Sequence, residues 1–421
     1  MAVSTLVTPR ANWAGNVVFS AAAVHRPGTV AELQQLVAGA TRVRALGSGH
    51  SFSPVADTTG DLVVLDGLPP VLDVDTEAAT VTVAGGLRYG AVATALHAHG
   101  LALPSMGSLP HISVAGAAAT GTHGSGDGNR VLATTVEAVQ LVTGEGDLVE
   151  LDRSHPSFDG TVLSLGSLGV VTWLRLRAVP GYDLTQQVHE CLPLEALVEH
   201  VDEVMAAGYS VSAFTSWRPG STASAWLKRR TGADAVADGW LGGVLADGPR
   251  HPVVGMPTEH STEQGGTVGP WHERLPHFRL EFTPSSGDEL QTEYLVPREH
   301  GVAAMRAVAA LGEQVAPLLQ VGEVRSIAAD DLWLSTAYGR HSLGLHFTWL
   351  PDPAAVASVL GALESALAPF APRPHWGKVF TTDPAVVRSS YPRLDDFVAL
   401  RDELDPRRRF ANAFVDRYLG A

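Results

Sequence analysis

Apolar and polar residues alternate in short segments up to about residue 182, and a few segments with helical spacing lie between them. The run Thr29-Val30-Ala31-Glu32 has a threonine and a glutamate spaced to cap a helix N-terminus, and its helical pattern continues to Val37. Period-two alternation predicts strands and hairpins, and a further helix stops at Gly100. The remaining predicted elements are strands at 43–46, 62–65 and 170–179, hairpins joining 71–75 to 80–84 and 136–143 to 147–151, and a helix at 88–99.

The pattern changes after Tyr182, where longer helices separate the strand-like runs. Strands interleaved with such helices favour one antiparallel sheet whose one face is covered by helices, and hence an α+β fold. The segment 218–276 is rich in Gly, Pro and His and is predicted to be mainly loop. The predicted strands are 277–283, 290–296, 321–328 and 343–350, and the predicted helices are 193–207, 298–315 and 353–367.

Composition narrows the class of protein. A chain of 421 residues with 45% apolar residues is long enough for two or three domains with substantial cores. The net charge of −15 argues against nucleic acids and anionic membrane surfaces as partners. A lone cysteine, Cys191, excludes an internal disulfide, and the N-terminus lacks a signal-peptide pattern, so a cytoplasmic location is expected. No run of 18 apolar residues predicts a membrane span.

Two segments consist almost entirely of small residues. Residues 44–53 read RALGSGHSFS, and residues 104–126 read PSMGSLPHISVAGAAATGTHGSG. Glycine lets a ligand approach the backbone closely, and the N–H groups of such turns can bind phosphate. Phe52 and Pro54 stand where a nicotinamide-dinucleotide fingerprint requires a glycine and a helix start. The first segment alone favours a Gly-Ser turn with a solvated histidine, whereas the second favours backbone lying against a flat or anionic ligand.

Lysine is rare in this chain. Of its 29 lysine and arginine residues, only Lys228 and Lys378 are lysines. Lys228, in the run WLKRR, is predicted to be a surface residue. Lys378 lies in the apolar run HWGKVF, where a solvated position is not expected. Because the pKa of a lysine falls on burial, Lys378 is a candidate for chemistry.

Two predicted strands each carry two polar residues on one face. Glu323 and Arg325 are two residues apart, as are His346 and Thr348. Their four side chains could line one sugar-sized pocket. The alternative is a structural ion pair on an exposed face, although the apolar neighbours make a solvated strand a poorer interpretation.

Several separate runs resemble the alditol (xylitol) oxidases, a family of the vanillyl-alcohol-oxidase superfamily of FAD flavoproteins. These runs occur in the family's order, between Asn12 and Asn412, and so cover nearly the whole chain. They are NWAGN, GSGHS, LPHISVAG, THGSG, LPHFRLEF, HFTW and HWGKVF. The resemblance implies a two-part FAD-binding domain at 12–182, a substrate-binding cap at 183–372, and a C-terminal segment, 373–421, that returns to the FAD-binding domain.

The resemblance also implies the cofactor and its contacts. In many members of the superfamily FAD is covalently bound to a histidine at the position of His50. The expected FAD-binding residues are Gly47, Ser48, Gly49, His50, Ser51, Ser108, Ser113, Gly116, Thr120, Gly121, Thr122, His123, Val170, His375 and Asn412. The expected substrate-binding residues are Ser108, Glu323, Arg325, His346 and Thr348, with Lys378 and Arg325 as the catalytic pair.

The implied reaction is oxidation of the terminal primary alcohol of an alditol such as xylitol or sorbitol, with O₂ reduced to hydrogen peroxide. A buried Lys378 would accept the hydroxyl proton or stabilise the alkoxide, and Arg325 would stabilise the reduced anionic cofactor.

Gly107 is a candidate for oxygen access, unless it only supplies a positive φ in its turn. An aldonolactone oxidase or dehydrogenase and a non-catalytic polyol-binding protein remain alternatives. No metal is expected from His50, His111 or His123, and a monomer is expected.

Overall fold

The computed structural model describes residues 11–281 and 287–420. The first part of the chain contains two small sheets. The first is parallel, in the order β1-β3-β2, with β1 at Ala23–His25, β2 at Val43–Leu46 and β3 at Asp61–Val64. Helix α1, Val30–Gly39, begins at Thr29, whose hydroxyl accepts from the backbone N–H of Glu32 as the capping pattern predicts.

The second sheet is antiparallel and carries the predicted hairpins. Its strands are β4 (Leu72–Asp75), β5 (Thr80–Ala84), β7 (Val136–Val142), β8 (Leu148–Asp152) and β9 (Val170–Arg177), in the order β4-β5-β9-β7-β8. The short strands β6 (Leu101–Ala102) and β10 (Val179–Pro180) pair with each other nearby. Helices α2 (Tyr89–Ala98), α3 (Val114–Thr120) and α4 (Phe158–Thr161) complete this part.

A large sheet dominates the second part of the described chain. Its main path runs β14-β11-β13-β12-β17-β18-β16-β19, and β15 pairs with β11. The strands are β11 (Asp183–Pro193), β12 (Ser210–Thr215), β13 (Thr222–Arg230), β14 (Val244–Leu245), β15 (Gly269–Pro270), β16 (Leu290–Pro297), β17 (Leu319–Ile327), β18 (Ser342–Trp349) and β19 (Arg373–Pro374).

Helices cover one face of this sheet. They are α5 (Leu194–Glu199), α6 (Val201–Ala206), α7 (Gly301–Ala310), α8 (Gly312–Val315) and α9 (Pro353–Leu367). Met305 and Leu360 of these helices share a core cluster with Val324 and Leu345 of the sheet. After β19 the chain continues into α10 (Pro384–Ser389), α11 (Leu394–Leu404) and α12 (Ala413–Leu419). The α+β architecture predicted from the sequence is confirmed.

One helical segment, Pro353–Phe370, is long and apolar enough to cross a membrane by length and composition. Its large aliphatic residues, among them Val356, Leu360 and Leu363, are nevertheless buried against the sheet. The high hydropathy comes partly from alanines. This is the pattern of a helix that packs its apolar stripe into a protein core.

In the second part of the chain one prediction is incomplete and another is wrong. The segment 218–276 is mainly irregular, as predicted, but it also contains β13, a nine-residue strand. The predicted strand 277–283 is irregular over 277–281, and residues 282 and 283 lie outside the described residues. The backbone N–H groups of His277 and Phe278 donate instead to the carbonyl of Ser108, at 3.1 and 3.4 Å. This segment therefore joins the two parts of the molecule rather than extending the sheet.

Candidate active site

A cavity of about 340 Å³ lies between the small-residue segments of the first part and the helix-free face of the large sheet. Residues 44–53 and 107–123 form one wall. The other wall consists of side chains from β16, β17 and β18 and of the segment 375–378. All the chemistry-bearing residues that sequence analysis singled out therefore converge on one space, with the exceptions given below.

The first wall consists of two loops packed backbone to backbone. The N–H of Ser48 donates to Oγ of Ser113 at 3.2 Å, and the N–H of Ser113 donates to Oγ of Ser48 at 3.0 Å. A Cβ on Gly47 would lie 2.2 Å from the Ser113 hydroxyl, which explains why residue 47 has no side chain. The reciprocal hydrogen bonds hold a flat surface of backbone and small side chains.

His50 lies at the end of this wall with one ring nitrogen free. Its ring stacks on Trp13 at 5.4 Å between centroids and 21° between planes. Its Nδ1 is buried and has no hydrogen-bond partner among the described residues. Burial, with Arg88 nearby, lowers the pKa of His50 to about 4, so the ring is neutral at pH 7. A neutral imidazole with an unpaired nitrogen is available as a nucleophile or as a hydrogen-bonding group for a ligand.

The second wall consists of polar residues in register across three neighbouring strands. Glu293 of β16 lies opposite His346 of β18, and His346 lies opposite Glu323 of β17. In the next row, Gln291 lies opposite Thr348. Nε2 of His346 lies 3.2 Å from Oγ1 of Thr348. The expected pocket of Glu323, Arg325, His346 and Thr348 thus exists on one sheet face.

Arg325 stands between two carboxylates. Its Nη2 donates to Oε1 of Glu293 at 2.5 Å, and its Nε lies 3.7 Å from Oε2 of Glu323. Burial opposes ionisation of both acids, but the guanidinium outweighs it and lowers the pKa of Glu293 and of Glu323 below the usual range. Burial also disfavours a charged guanidinium, yet the two carboxylates raise the pKa of Arg325. All three groups are therefore charged.

Lys378 lines the pocket next to Phe52. Its ammonium donates to Oε1 of Gln291 and lies 5.3 Å from the ring centroid of Phe52. Burial lowers the pKa of Lys378 to about 8, although Glu293 partly opposes this shift. Arg325 and Lys378 thus balance Glu293 and Glu323, and Glu289 and Arg44, which also line the cavity, add one charge of each sign. This balance suits a ligand without net charge.

His123, Glu293 and His375 form a cluster with the spacing of metal ligands, which the sequence did not predict. One ligand atom from each lies within 4.8 Å of the other two. The carboxylate of Glu293, however, already pairs with the guanidinium of Arg325. A cation would have to compete with that guanidinium, so the cluster is better explained as part of a polar network.

Most of the predicted site residues line the cavity. They are Gly47, Ser48, Gly49, His50, Ser51, Gly107, Ser108, Ser113, Gly116, Thr120, Thr122, His123, Glu323, Arg325, His346, Thr348, His375 and Lys378. Three predicted FAD-binding residues are not in its lining. Gly121 ends α3 with a φ of 72°, Val170 is a fully buried core residue, and Asn412 caps α12.

Gly107 does not have the positive φ that its turn suggested as an alternative role. A Cβ at this position would lie 3.5 Å from Cγ2 of Thr122 and 3.6 Å from Cδ1 of Ile112, which are ordinary contacts. The backbone interpretation of Gly107 is therefore wrong, and a small space beside the cavity wall remains.

Sequence reasoning missed several residues of the site. Glu293 and Gln291 are two residues apart in a predicted strand, which is the same signal that identified Glu323 and Arg325. Trp13 lies in the quoted run NWAGN, but nothing in the pattern linked it to His50. His277 contacts Glu323 only because the loop that carries it folds over the sheet, and Lys228 contacts His277 in turn. Lys228, predicted to be exposed, is 1% exposed.

The residues of the cavity fit FAD. The glycine-rich wall leaves room for a flat group against backbone, and the buried Nδ1 of His50 has no partner among the described residues. A Cβ on Gly85, another lining residue, would meet the carbonyl oxygen of Val171 at 2.5 Å. Along this wall the protein thus offers backbone and small side chains rather than bulky ones.

Comparisons with known proteins agree with this geometry. A model of the FAD binding domain matches residues 21–152, and a model of D-arabinono-1,4-lactone oxidase matches residues 288–418. The chain is 52% identical to the alditol oxidase of Streptomyces sp. (strain IKD472 / FERM P-14339) over 98% of this chain and 99% of that protein. It is 33% identical to the L-gulono-1,4-lactone dehydrogenase of Mycobacterium tuberculosis, over 97% and 98% of the two chains.

The fold is also found in solved structures. Cholesterol oxidase from B. sterolicum superposes with a TM-score of 0.78 at 16% identity, covering 97% of this chain and 96% of that chain. At this identity the match shows the fold alone. From the full-length 52% identity and the FAD-binding domain match, this chain belongs to the alditol oxidase family of FAD-dependent oxidoreductases.

Proposed function

We propose that this enzyme oxidises the terminal primary alcohol of alditols such as xylitol and sorbitol to the aldose, with O₂ as the electron acceptor. The observation that carries this proposal is the group of Glu323, Arg325, Thr348 and Lys378 facing the glycine-rich wall across one cavity. A polyol is neutral and dense in hydroxyls, and so it needs several fixed donors and acceptors. Each buried polar group left unpaired would cost roughly 1–3 kcal/mol.

The substrate-binding roles follow from the side-chain chemistry. Glu323 accepts hydrogen bonds from hydroxyl groups, and the guanidinium of Arg325 donates to them. The hydroxyls of Ser108 and Thr348 can do either, and His346 orients Thr348 at 3.2 Å. The balanced charges of the pocket favour a neutral polyol over an acid or an amine.

The chemical step removes a hydride from the terminal carbon and a proton from its hydroxyl oxygen. Bound FAD would supply the hydride acceptor and the route by which both electrons reach O₂ to give hydrogen peroxide. Lys378, whose pKa burial lowers to about 8, takes the hydroxyl proton in its neutral form or stabilises the developing alkoxide as the ammonium. Arg325 supplies the fixed positive charge next to the reacting end.

FAD is proposed to be covalently attached through His50. The neutral, unpaired imidazole stacked on Trp13 supports this attachment. Acid-precipitated protein should stay yellow, and its intact mass should exceed that of the bare chain by one FAD. His50→Ala should release the flavin on precipitation. Complete release of flavin from wild-type protein would contradict the covalent link.

The activity itself is tested by mixing the yellow protein with xylitol. Bleaching of the flavin without O₂ and formation of hydrogen peroxide with O₂ are expected. A colourless protein that binds xylitol would instead indicate a polyol-binding protein. Reduction by L-gulono-1,4-lactone but not by xylitol would favour the lactone-oxidising relatives, which are the more distant ones.

The arrangement of the chain supports the proposed division into 12–182, 183–372 and 373–421. The backbone N–H of Val43 donates to the carbonyl of Arg409 at 2.8 Å, and that of Phe52 to the carbonyl of Gly377 at 2.7 Å. The last segment thus contacts the FAD-binding part as well as the sheet of the cap.

The single cysteine supports a cytoplasmic enzyme. A monomer is proposed, and the mass of the protein in solution tests the monomer.

A further inference from the structure

Lys228 is a buried lysine, with a pKa that burial lowers to about 7, for which neither the proposed binding of substrate nor the proposed proton transfer has a use. It lies in β13, is 1% exposed, and points to the same side of the large sheet as the pocket. Its ammonium donates to the carbonyls of Leu275 and Pro276 and to Nδ1 of His277, the last at 3.1 Å. An ammonium has three protons, and all three have a protein acceptor here.

His277 connects this lysine to the pocket. Its Nε2 lies 3.0 Å from Oε1 of Glu323, and its ring is packed edge-on against Phe214 and Trp226 at 5.4 and 5.5 Å. Burial, together with Lys228, lowers the pKa of His277 to about 4, so the ring is neutral. A neutral imidazole carries one proton, and the ionised Glu323 can only accept, so Nδ1 is left to accept from the ammonium of Lys228. The proton is therefore on Nε2 and is donated to Glu323.

We propose that Lys228 and His277 are positioning residues that keep Glu323 as a pure hydrogen-bond acceptor and so select substrates with a hydroxyl beside the reacting carbon. This inference rests on the proposed function and specifies its substrate class. A carboxylate that receives one hydrogen bond from His277 still has lone pairs for hydroxyl donors. A carbonyl oxygen at the same place has no proton to donate, and it would meet the carboxylate as a second acceptor.

The selection depends on the direction of two hydrogen bonds, from Lys228 to His277 and from His277 to Glu323. Without Lys228, the carbonyls of Leu275 and Pro276 lose their donor, and Nδ1 of His277 is free to carry the proton. Nε2 would then face Glu323 as an acceptor. The carboxylate would have to turn away or take up a proton, and in the protonated form it could donate to a carbonyl.

The experiment compares two ligands that differ at one carbon, 1,2-butanediol and 1-hydroxy-2-butanone. Their apparent dissociation constants are measured without O₂ from the dependence of the flavin reduction rate on ligand concentration, or from the spectral shift where the ligand does not reduce the flavin, and xylitol KM and kcat are measured in parallel. Wild-type protein is expected to prefer the diol. In Lys228→Met the preference is expected to fall by about tenfold to a hundredfold, the range for one hydrogen bond to a charged group. KM for xylitol should rise more than kcat falls.

Arg229→Met is the matched control. Arg229 is the next residue of the same strand, is buried to a similar extent, and bonds to Gln187 and Asp234 on the other side of the sheet. This variant is expected to lose stability but to keep the preference for the diol. An unchanged preference in folded Lys228→Met, or the same loss in both variants, would overturn the proposal.

A spectroscopic readout covers the case in which Lys228→Met does not fold. In wild-type protein with ¹⁵N-labelled histidine, the His277 signals, assigned by their absence from His277→Gln, should show the proton on Nε2. A proton on Nδ1 would overturn the proposal. If wild-type protein does not oxidise xylitol, the proposed function fails, while the ligand preference and the histidine tautomer still test this inference.

Discussion

Lys378 is the residue on which the proposed proton transfer depends. Its ammonium is held by Gln291 beside Arg325 and Glu293, and burial lowers its pKa to about 8. A base with this pKa is partly neutral at physiological pH, as a proton acceptor must be. An arginine at the same position would stay charged and could not accept a proton.

Lys378→Met is expected to keep FAD bound but to slow its reduction by xylitol on the order of 10²–10⁴-fold, the range for a lost acid–base group. In wild-type protein the rate of reduction should rise with pH up to about 8 and then level off, because the neutral amine is the active form. Stopped-flow measurement without O₂ tests both. A Lys378→Arg variant as fast as wild type would show that only the charge matters.

Gly107 allows a second test at the scale of one residue. A methyl group here would make ordinary contacts with Thr122 and Ile112 and would cause no backbone strain. Gly107→Ala is therefore expected to keep its melting temperature and its rate of reduction by xylitol, while reoxidation by O₂ becomes slower because the space is filled. Unchanged reoxidation in the folded variant would exclude a role in oxygen access.

The two lysines show what could be predicted from single residues. The apolar neighbours of Lys378 indicated that it was not solvated, and it lines the cavity. The same reasoning failed for Lys228 because Arg229 and Arg230 follow it and suggested a surface. In the fold Lys228 and Arg229 are both buried, on opposite sides of the strand, and loop carbonyls compensate the lysine. No local pattern reveals an acceptor that lies 47 residues away.

At the scale of elements, the hairpins of the first part and strands β16, β17 and β18 of the large sheet were predicted to within two residues, whereas β11, β12 and β13 were not predicted. The alternation in β5, β8 and β9 located the antiparallel sheet of the first part to within two residues. All six residues of β12 are buried, because helices cover one face and the loop that carries His277 covers the other. Period-two alternation disappears in β12 under those conditions, whereas burial does alternate along much of β11, so this reason does not extend to β11.

The contact between β5 and β9 is the element-scale feature that shapes the cofactor wall. Gly85 follows β5, and a Cβ there would lie 2.5 Å from the carbonyl oxygen of Val171, which cannot move without separating hydrogen-bonded strands. Gly85→Ala is expected to reduce the free energy of unfolding by about 1–3 kcal/mol through overpacking, and to reduce FAD content.

Gly361→Ala is the matched control for this variant. Gly361 lies in α9, and a Cβ there would have no described residue outside its own helix within 4 Å, so alanine should stabilise the helix by about 0.5–1 kcal/mol. Chemical denaturation and the ratio of flavin to protein absorbance measure both effects. Equal stability of the Gly85→Ala variant and wild type would contradict the close-packing argument.

At the scale of the whole molecule, the site exists only because distant parts of the chain meet. The glycine-rich loops come from the first part, the polar rows from the large sheet, and Lys378 from the segment after β19. Their joint burial leaves several neutral histidines inside, among them His277, His346 and His375, whose pKa values burial lowers. The assembled molecule therefore has a defined sensitivity to acid.

These histidines predict that the folded enzyme loses stability as the pH falls below about 7. Their pKa values lie below the 6.5 of an unfolded chain, so between those values the unfolded state binds more protons, and acid favours unfolding. Each such group contributes up to about 1.4 kcal/mol per pH unit.

His277, with a pKa of about 4, should contribute to this loss of stability between pH 6.5 and pH 4. In FAD-loaded His277→Gln, the slope of unfolding free energy against pH should therefore be smaller than in wild type by about that amount. Denaturant unfolding at intervals between pH 7 and pH 4.5 measures the slope. If the slopes of variant and wild type coincide, the pKa of His277 is not lowered in the folded state, and its proposed part in the acid sensitivity is wrong.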